Sequence, residues 1–176
     1  MAAYPGTPDG FQRLWTPHRQ VYIARQAGRP ADDCVFCLAP KVSADDNLVV
    51  HLGELAYVVL NLYPYNSGHL LVCPYRHLAA YTDLTDLETV ELARLTQQAM
   101  RTLTAYCHPQ GFNLGLNQGS IAGAGIAGHL HQHIVPRWGG DANFFPIVAQ
   151  TRALPQLLGQ TRDGLRTLWP NAKSAL

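Results

Sequence analysis

Three histidines alternate with other residues in the stretch 128–136: His129, His131 and His133. The residues around them are mostly apolar or favour β-structure, so we predict a strand in which residues of equal parity share one face. All three imidazoles would then point the same way. Each buried ring has two nitrogens that need hydrogen-bond partners, which makes such a row costly in an ordinary core. The pattern therefore indicates a site that uses imidazole chemistry.

An imidazole is largely uncharged near pH 7, because its unperturbed pKa is about 6.5, and its free nitrogen can attack phosphorus and later leave again. The middle residue, His131, is the natural candidate for such a nucleophile. A backbone carbonyl commonly fixes which nitrogen of the ring carries the proton. The sequence does not identify that carbonyl.

Two cysteines, Cys34 and Cys37, form a Cys-x-x-Cys motif, whose spacing lets both sulfurs reach one metal ion from a single turn. Two other interpretations stay open: a redox pair, although no thioredoxin-like βαβ pattern surrounds the motif, or two small buried apolar residues. Cys73 and Cys107 stand alone in apolar segments. In a reducing compartment we expect no disulfide framework.

A glycine-rich segment, residues 118–128, leads into the histidines and contains Gly123 and Gly125. Glycine lets the backbone come close to an anion, so that N–H groups can cradle it. The alternative is a flexible turn without a ligand. The segment is therefore a candidate anion-binding loop.

The elements that must position these residues follow from apolar spacing and turn signals. Residues 47–52 and 55–61 are predicted to form a hairpin, residues 69–73 a third strand and residues 112–117 a fourth. A capping box of Thr85 and Glu88 begins a long helix that ends near His108, with Glu88 expected to face water. The predicted apolar side of this helix is Leu84, Leu87, Leu92, Leu95, Ala99, Leu103 and Tyr106. A second helix over residues 151–168 has the predicted apolar side Leu154, Leu157, Leu158, Leu165 and Leu168.

Together with the predicted strand that carries the three histidines, these elements predict an α+β fold. It is an antiparallel sheet of about five strands, with a long helix and a C-terminal helix on one side. We divide the chain into an amino-terminal arm, residues 1–33, and a single domain, residues 34–176. The arm carries an aromatic cluster, so we expect it to pack on its own domain or on a neighbouring subunit.

The chain of 176 residues is long enough for one domain that buries about two-thirds of its unfolded surface. Its net charge of +1 and its lack of a basic run argue against a nucleic-acid polymer as partner. No apolar stretch approaches the roughly 18 residues of a transmembrane helix, and residues 1–10 have no secretory core. We therefore expect a cytoplasmic protein with a small phosphorylated partner, no membrane contact and no organic cofactor.

The run His-x-His-x-His followed by Ile134 and Val135 resembles the signature of the histidine triad superfamily of nucleotide hydrolases and transferases. The resemblance covers about residues 30–150. The longer run from His129 to Phe144 is most similar to that of small bacterial diadenosine tetraphosphate phosphorylases. Gln132 stands where many members carry an aliphatic residue, a departure shared with those phosphorylases. The resemblance implies the histidine triad (HIT-like) fold, in agreement with the α+β prediction.

In this family the middle histidine becomes nucleotidylated, so the resemblance implies that His131 is the nucleophile and that His133 contacts the phosphate oxygens and the leaving group. It also implies that Asn61 binds the ribose hydroxyls, although this residue could instead start the turn at Tyr63. Phe36 would line the base pocket, although an aromatic here could equally belong to the core. The other implied substrate-binding residues are Asn117, Gly123, Gly125 and Gln132, with Trp138 and Phe144 near the far end of a long substrate.

Zinc-containing relatives complete the cysteine pair with a histidine after the third strand and with the first triad histidine. The resemblance therefore implies a structural zinc ion, since zinc takes four nitrogen or sulfur ligands. Such a site would tie the amino-terminal segment to the triad strand, and the chemistry itself would need no metal. The implied ligands are Cys34, Cys37, His77 and His129, with His51 as the spare candidate.

The predicted activity is cleavage of diadenosine tetraphosphate through AMP bound covalently to His131, with inorganic phosphate as acceptor giving ADP and ATP. Hydrolytic branches carry a glutamine where this chain has Gly125, which favours phosphate over water. One alternative is a hydrolase of dinucleoside polyphosphates or nucleoside phosphoramidates. An alternative of another class is a nucleotide-binding interaction module without turnover. We also expect a homodimer or higher homo-oligomer, since triad proteins commonly associate through the long helix and an edge strand.

Overall fold

The computed structural model describes residues 34–43, 47–141 and 154–170. The predictions for the arm, residues 1–33, and for Phe144 fall outside these residues. The described helices are α1, a single turn at Val35–Leu38, α2 at Asp86–Cys107 and α3 at Leu158–Leu168, with 3₁₀ turns at Ala39–Lys41 and Tyr81–Asp83. The strands are β1 at Val49–Leu52, β2 at Ala56–Leu60, β3 at Leu70–Pro74, β4 at Gly111–Leu116 and β5 at Gln132–Arg137.

The five strands form one antiparallel sheet in the order β1-β2-β3-β5-β4. The first three strands make the predicted meander, and β5 lies between β3 and β4. In this register His133 of β5 lies opposite Leu71 on one side and Gly115 on the other. The α+β prediction is confirmed, and hydrogen-bonded neighbours on both sides hold the triad strand in place.

The triad strand begins later than predicted. Because β5 starts at Gln132, only His133 of the three histidines lies in a paired strand. The segment before β5, which carries His129 and His131, lies instead beside the residues that follow β3. There Leu130 N donates a hydrogen bond to Leu78 O at 2.7 Å. The three histidines still share one side. The ring centroids of His131 and His133 are 5.0 Å apart, and the Phe36 ring contacts both His129 and His131.

The long helix α2 begins and ends as predicted. Thr85 is its N-cap: the Thr85 hydroxyl accepts a hydrogen bond from Glu88 N, and the Glu88 carboxylate accepts one from Thr85 N. The helix ends at His108, whose φ of 47° lies in the left-handed region that terminates helices. Local signals were therefore sufficient to place both ends.

Two side-chain predictions for α2 were wrong. Glu88 is buried, and Leu87 is 72% exposed. The buried residues of α2 from Leu92 onward lie on one side of the helix. One turn before Leu92, that side passes through position 88 and not through position 87. A carboxylate is tolerated there because Arg76 donates two hydrogen bonds to it, at 3.0 and 2.7 Å.

The C-terminal helix α3 is shorter than predicted. Over the described residues it begins at Leu158 rather than at residue 151, and its N-cap Leu157 is extended, with ψ at 145°. Pro155 disfavours helical conformation in the residue before it, which opposes an earlier start. Leu165 is buried as predicted. Three residues predicted on the apolar side are exposed instead: Leu154, Leu157 and Leu168.

The two faces of the sheet are covered differently. Helices α2 and α3 pack on one face, where Val58, Val72 and Ile134 are fully buried. On the other face a smaller cluster around Tyr57 and Leu71 packs against the turn that carries Cys34 and Cys37. His133 pairs with Leu71 and belongs to this second face. No described helix is both long enough and apolar enough to span a membrane.

Candidate active site and metal-ligating cluster

His131 lies just before β5 and is 7% exposed. Its Nδ1 is 2.8 Å from the carbonyl oxygen of His129, and because a carbonyl only accepts hydrogen bonds, Nδ1 carries the proton. In the neutral ring the lone pair is then on Nε2. Burial lowers the pKa of His131 below its ordinary value of 6.5, against a smaller opposite effect of the His129 carbonyl. The ring is therefore neutral near pH 7, with Nε2 as its nucleophilic atom.

His133 is the second residue of β5, and its ring meets that of His131 edge to face. The His133 Nδ1 lies 3.0 Å from Nε2 of His69. Tyr65 stacks on the His133 ring, with centroids 5.6 Å apart and the planes inclined by 15°. The structure thus brings the two predicted catalytic histidines together and adds two residues behind them.

His69 is a site residue that the sequence did not reveal. It is fully buried, one residue before β3, and it lies 64 residues from His133. A histidine at the start of an apolar run was the only signal present, and an isolated buried histidine is usually part of the core. Its role became visible only through the pairing of β3 with β5, which sets Leu71 opposite His133.

Phe36 lies beside the histidine triad. Its ring is 4.8 Å from that of His131 and 5.6 Å from that of His129. The Tyr57 hydroxyl donates a 2.6 Å hydrogen bond to Phe36 O, which holds the α1 turn against β2. Phe36 therefore forms an apolar wall next to His131, and its contact with a base stays a prediction.

Asn117 follows β4 directly. The last pair between β4 and β5 is Leu116 with Gln132, so Asn117 and His131 each lie one residue beyond the paired strands. Gly115, two residues earlier on the same face, lies opposite His133, and a Cβ atom there would meet nothing within 4 Å. The space beside Gly115 is therefore open on the side of His133, and the phosphate contact of Asn117 stays a prediction.

The glycine-rich loop is partly closed by its own hydrogen bonds. Gly123 N donates to Ser120 O at 3.0 Å, and Ala124 N donates to Gly119 O at 3.2 Å. Gly119 and Gly123 have φ of 82° and 85°, a conformation that favours glycine. The Gly123 N–H is therefore used within the turn, and anion binding by Gly123 and Gly125 stays a prediction.

Asn61 starts the turn after β2, as the alternative interpretation proposed. Its Oδ1 accepts a hydrogen bond from Tyr63 N at 3.0 Å, and its Nδ2 lies 3.3 Å from Nδ1 of His69. An amide still has a second N–H and a second lone pair on its oxygen, so these contacts leave capacity for a ribose hydroxyl. The ribose role stays a prediction.

Two further predicted residues lie away from the histidine rings. Gln132 Nε2 donates a 3.0 Å hydrogen bond to the Thr96 hydroxyl of α2, which places it on the helix-covered face, opposite to His133. Trp138 follows β5, and its Nε1 donates to Cys107 O at the end of α2. Neither contact supports direct substrate binding by these two side chains.

The four predicted metal ligands meet at one point. The ligating atoms of Cys34, Cys37, His77 and His129 all lie within 4.8 Å of one another. His129 Nδ1 is 3.5 Å from Cys34 Sγ and 3.4 Å from Cys37 Sγ, and His77 Nδ1 is 3.3 Å from Cys37 Sγ. Among the described residues no other such group of three or more ligands occurs. The spare candidate, His51, stacks instead on Trp169 with ring centroids 4.8 Å apart.

This arrangement fits a tetrahedral zinc ion. Zinc bonds to cysteine sulfur and histidine nitrogen imply nitrogen-to-sulfur separations of about 3.5 Å around the tetrahedron. The observed separations of 3.3–3.5 Å match that value. His129 Nε2 lies 2.9 Å from Pro74 O, so it donates its proton there and leaves the Nδ1 lone pair facing the sulfurs. Burial lowers the pKa of His129 to about 4, which keeps this ligand neutral.

Fold and histidine geometry together define a class of protein. The HIT domain family model matches residues 42–140. The chain therefore belongs to the HIT family, which confirms the resemblance drawn from the triad.

Individual relatives narrow the comparison. The chain is 49% identical over 172 residues to a protein of Mycobacterium tuberculosis named AP-4-A phosphorylase, covering 93% of this chain and 87% of that one. It is 36% identical to a bifunctional bis(5′-adenosyl)-triphosphatase/adenylylsulfatase of Arabidopsis thaliana, over 55% of this chain and 53% of that one. A zinc-bound histidine triad family protein of Mycobacterium smegmatis superposes with a TM-score of 0.64 and 26% identity, covering 80% of this chain and 95% of that chain.

Proposed function

We propose that the protein cleaves diadenosine tetraphosphate by transferring AMP to His131 and then to inorganic phosphate, giving ATP and ADP. The observation that carries this proposal is the geometry of His131, whose proton is held on Nδ1 so that Nε2 is free to attack phosphorus. The relative named AP-4-A phosphorylase supports the choice of substrate. The intact constellation of histidines argues against a binding module without turnover.

In the first step His131 Nε2 forms a bond to the α-phosphorus while the bond from that phosphorus to the bridging oxygen breaks. The electron pair leaves with the oxygen, and the departing group is ATP. The Nδ1 proton stays in place, so the positive charge of the nucleotidylated ring is stabilised by the His129 carbonyl 2.8 Å away. In the second step a phosphate oxygen attacks the same phosphorus, and the imidazole leaves, neutral again, as ADP forms.

The substrate would lie along the face that carries the histidines. Phe36 would contact the base, Asn61 the ribose, and Asn117 the α-phosphate beside His131. The loop with Gly123 and Gly125 would contribute backbone N–H groups to the phosphates. The open space above Gly115 would admit the departing nucleotide, which supports a long substrate.

Water is the alternative acceptor, and the triphosphatase relative supports this second candidate. The test is incubation of the protein with diadenosine tetraphosphate and radiolabelled inorganic phosphate, followed by separation of the nucleotides. Phosphorolysis predicts label in ADP and no reaction without phosphate. AMP and ATP formed with or without phosphate would show hydrolysis. Unchanged substrate under both conditions would contradict the proposed function.

We also propose that the cysteine and histidine cluster holds one structural zinc ion. The ligand separations and the Nδ1 lone pair of His129 support this, as does the zinc-bound relative. When bound, zinc would cross-link the α1 turn to the segments carrying His77 and His129. The ion has no part in the transfer steps above.

Self-association and a cytoplasmic location are further proposals. Self-association is supported by the position of β4 at the end of the sheet that the described residues form, where Leu114 is 49% exposed, and by Leu87 and Val90, which are exposed on α2. An exposed apolar edge strand is a common surface for pairing with a second chain. A homodimer joined through β4 and α2 would cover these residues.

A further inference from the structure

A network of hydrogen bonds around Asp141 joins the end of β5 to the turn that follows β2. Arg137 Nε and Nη2 donate to the two oxygens of the Asp141 carboxylate, at 2.6 and 2.9 Å. Trp138 N donates to Oδ2 at 3.1 Å. Asn66 Nδ2, which belongs to the turn, donates to the same oxygen at 2.8 Å. The carboxylate therefore connects two segments that lie 75 residues apart in the chain.

The Asp141 carboxylate is held as a hydrogen-bond acceptor. Its side chain is only 9% exposed. The Arg137 guanidinium holds the pKa of Asp141 well below its ordinary value of 3.8, and the Trp138 N–H lowers the pKa further, against the opposite effect of burial. The group is therefore ionised near neutral pH, and an ionised carboxylate only accepts hydrogen bonds.

Asn66 attaches its turn to β5. Its Nδ2 also donates to Pro136 O at 3.1 Å, and since a carbonyl and a carboxylate only accept, the atom that faces them is the amide nitrogen. The Asn66 carbonyl accepts from His69 N at 3.2 Å. Gly68 has a φ of 74°, and a Cβ atom there would lie 3.0 Å from the Leu103 side chain and 3.5 Å from Pro136. The turn therefore lies close against both β5 and α2.

Tyr65, the residue before Asn66, extends this turn to the active site. Its ring stacks on that of His133, with centroids 5.6 Å apart and the planes inclined by 15°. Asp141 lies after the other end of β5 from His133. The position of the Tyr65 ring therefore depends on where Asn66 fixes the turn.

We propose that Asp141 is a positioning residue that, through Asn66, fixes the turn holding the Tyr65 ring against His133. The consequence for turnover rests on the proposed function, with the implied contact of His133 to the leaving oxygen. A stacked ring has less freedom to rotate, so His133 meets that oxygen in one orientation. Because the contact develops in the transition state, its loss lowers kcat and leaves KM nearly unchanged.

A general stabilising role for this network makes a different prediction. Asn113 also belongs to it, because its Oδ1 accepts a 2.6 Å hydrogen bond from Arg137 Nη1, but Asn113 lies in β4 and not in the turn. Asn66→Ala and Asn113→Ala each remove one amide from the network, and only Asn66→Ala cuts the link to Tyr65. Asp141→Ala cuts the same link from the other side and leaves the second contact of Asn66 in place.

The experiment is NMR of the carbon-bound ring protons of His133, in the full chain as isolated and without substrate. A stacked aromatic ring shifts such protons upfield, and Tyr65→Leu defines their position without the stack. We expect Asn66→Ala and Asp141→Ala to shift the His133 signals toward that position, with no further shift in the double variant. Asn113→Ala is the matched control and should leave the signals at their wild-type position.

In turnover of diadenosine tetraphosphate, Asn66→Ala and Asp141→Ala should lower kcat by roughly threefold to tenfold, the size of the contribution of one aromatic pair. Unshifted His133 signals in Asn66→Ala would overturn the proposal, and so would an equal shift in Asn113→Ala or no shift in Tyr65→Leu. The Asn66→Ala spectrum decides the matter even if Asp141→Ala fails to fold. The spectra need no substrate, so failure to cleave diadenosine tetraphosphate with the expected shifts present would refute the proposed function alone.

Discussion

At the scale of single residues, reactivity depends on which nitrogen of each ring is already engaged. His129 donates from Nε2 and directs Nδ1 to the cysteines, whereas His131 donates from Nδ1 and leaves the Nε2 lone pair for the proposed attack on phosphorus. Neighbouring histidines of one motif thus have opposite tautomers because different carbonyls face them. The alternation of residue types predicted the site, but only the folded backbone assigns these separate roles.

His131→Ala should abolish turnover and the covalent intermediate, because no other atom in the proposal attacks phosphorus. His133→Ala should slow the reaction by roughly a hundredfold while still allowing the adduct, since it removes a hydrogen-bond donor only. Alkaline quenching followed by peptide mass spectrometry locates the adduct. The matched control is His108→Asn, which removes a histidine at the end of α2 and suits its left-handed backbone. AMP attached to any residue other than His131 would contradict the assignment.

Asn61 accepts a hydrogen bond from Tyr63 N in the turn after β2, and we propose a second role for it toward the ribose. If it binds the ribose hydroxyls, Asn61→Ala should weaken AMP by about 1–3 kcal/mol and should weaken 2′,3′-dideoxy-AMP much less. The measurement is calorimetric titration of both ligands with wild type and variant. Equal losses for the two ligands would mean that Asn61 acts only through Tyr63 and His69.

At the scale of elements, local signals predicted what depends on neighbours in sequence. The capping box at Thr85 and the apolar spacing up to about His108 placed α2 correctly, and apolar, valine-rich runs bounded by turn signals placed the strands of the meander. The late start of β5 was not predictable, because it depends on a contact between Leu130 and Leu78. His69 was missed for the same reason, since its partner is brought near only by strand pairing.

The burial of Glu88 also depends on a contact that the sequence did not show. Arg76 lies after β3, and its guanidinium binds the Glu88 carboxylate through two N–H groups. This contact, with help from Thr85, lowers the pKa of Glu88 from its ordinary 4.5 to about 2, against the opposite effect of burial. Glu88 therefore joins the start of α2 to the segment that follows β3.

Glu88→Gln should destabilise the protein by about 1 kcal/mol at neutral pH, a modest value because the Arg76 side chain is half exposed. A folded pKa below the unfolded one gives stability that is complete above about pH 4.5 and is lost as the pH falls toward 2. The difference between wild type and variant should therefore shrink over that range. Urea unfolding at several pH values measures it.

The matched control for this measurement is Glu54→Gln. The Glu54 carboxylate is exposed and makes no hydrogen bond or ion pair with the described part of the chain. We expect its effect on the free energy of unfolding to be near zero at every pH. A pH-independent effect of Glu88→Gln would show that the capping box, rather than the charge, stabilises this position.

At the scale of the whole molecule, β4 is an edge strand of the sheet in the described part of the chain, and such a strand favours pairing with a second chain. If β4 and α2 form the interface of a homodimer, sedimentation at micromolar concentration should show two chains. Leu114→Lys should shift the protein toward monomer, because a charge on an edge strand opposes pairing. The control is Leu154→Lys, because Leu154 is also exposed but lies outside β4 and α2. A monomeric wild type would contradict the proposal.

The metal cluster joins parts of the chain that are far apart in sequence. Cys37 is 40 residues from His77 and 92 residues from His129. Closing such long loops costs conformational entropy, which the bonds to the proposed zinc ion would offset because they form only in the folded state. The same turn carries Phe36, which packs on His131, so the cluster also holds one wall of the active site. Stability and the shape of the site should therefore depend on the same ion.

The protein as isolated, never exposed to chelator, should contain about one zinc ion per chain. Cys34→Ser should lower the zinc content and reduce Tm by at least about 5 °C, since each kcal/mol lost lowers the Tm of a chain of this size by about 2–4 °C. Cys107→Ser is the matched control, because Cys107 is half-buried on α2 and lies outside the cluster. Elemental analysis measures the zinc content, and calorimetry measures Tm. Absence of metal in the wild type, or an equal loss of Tm in both variants, would contradict a structural zinc site.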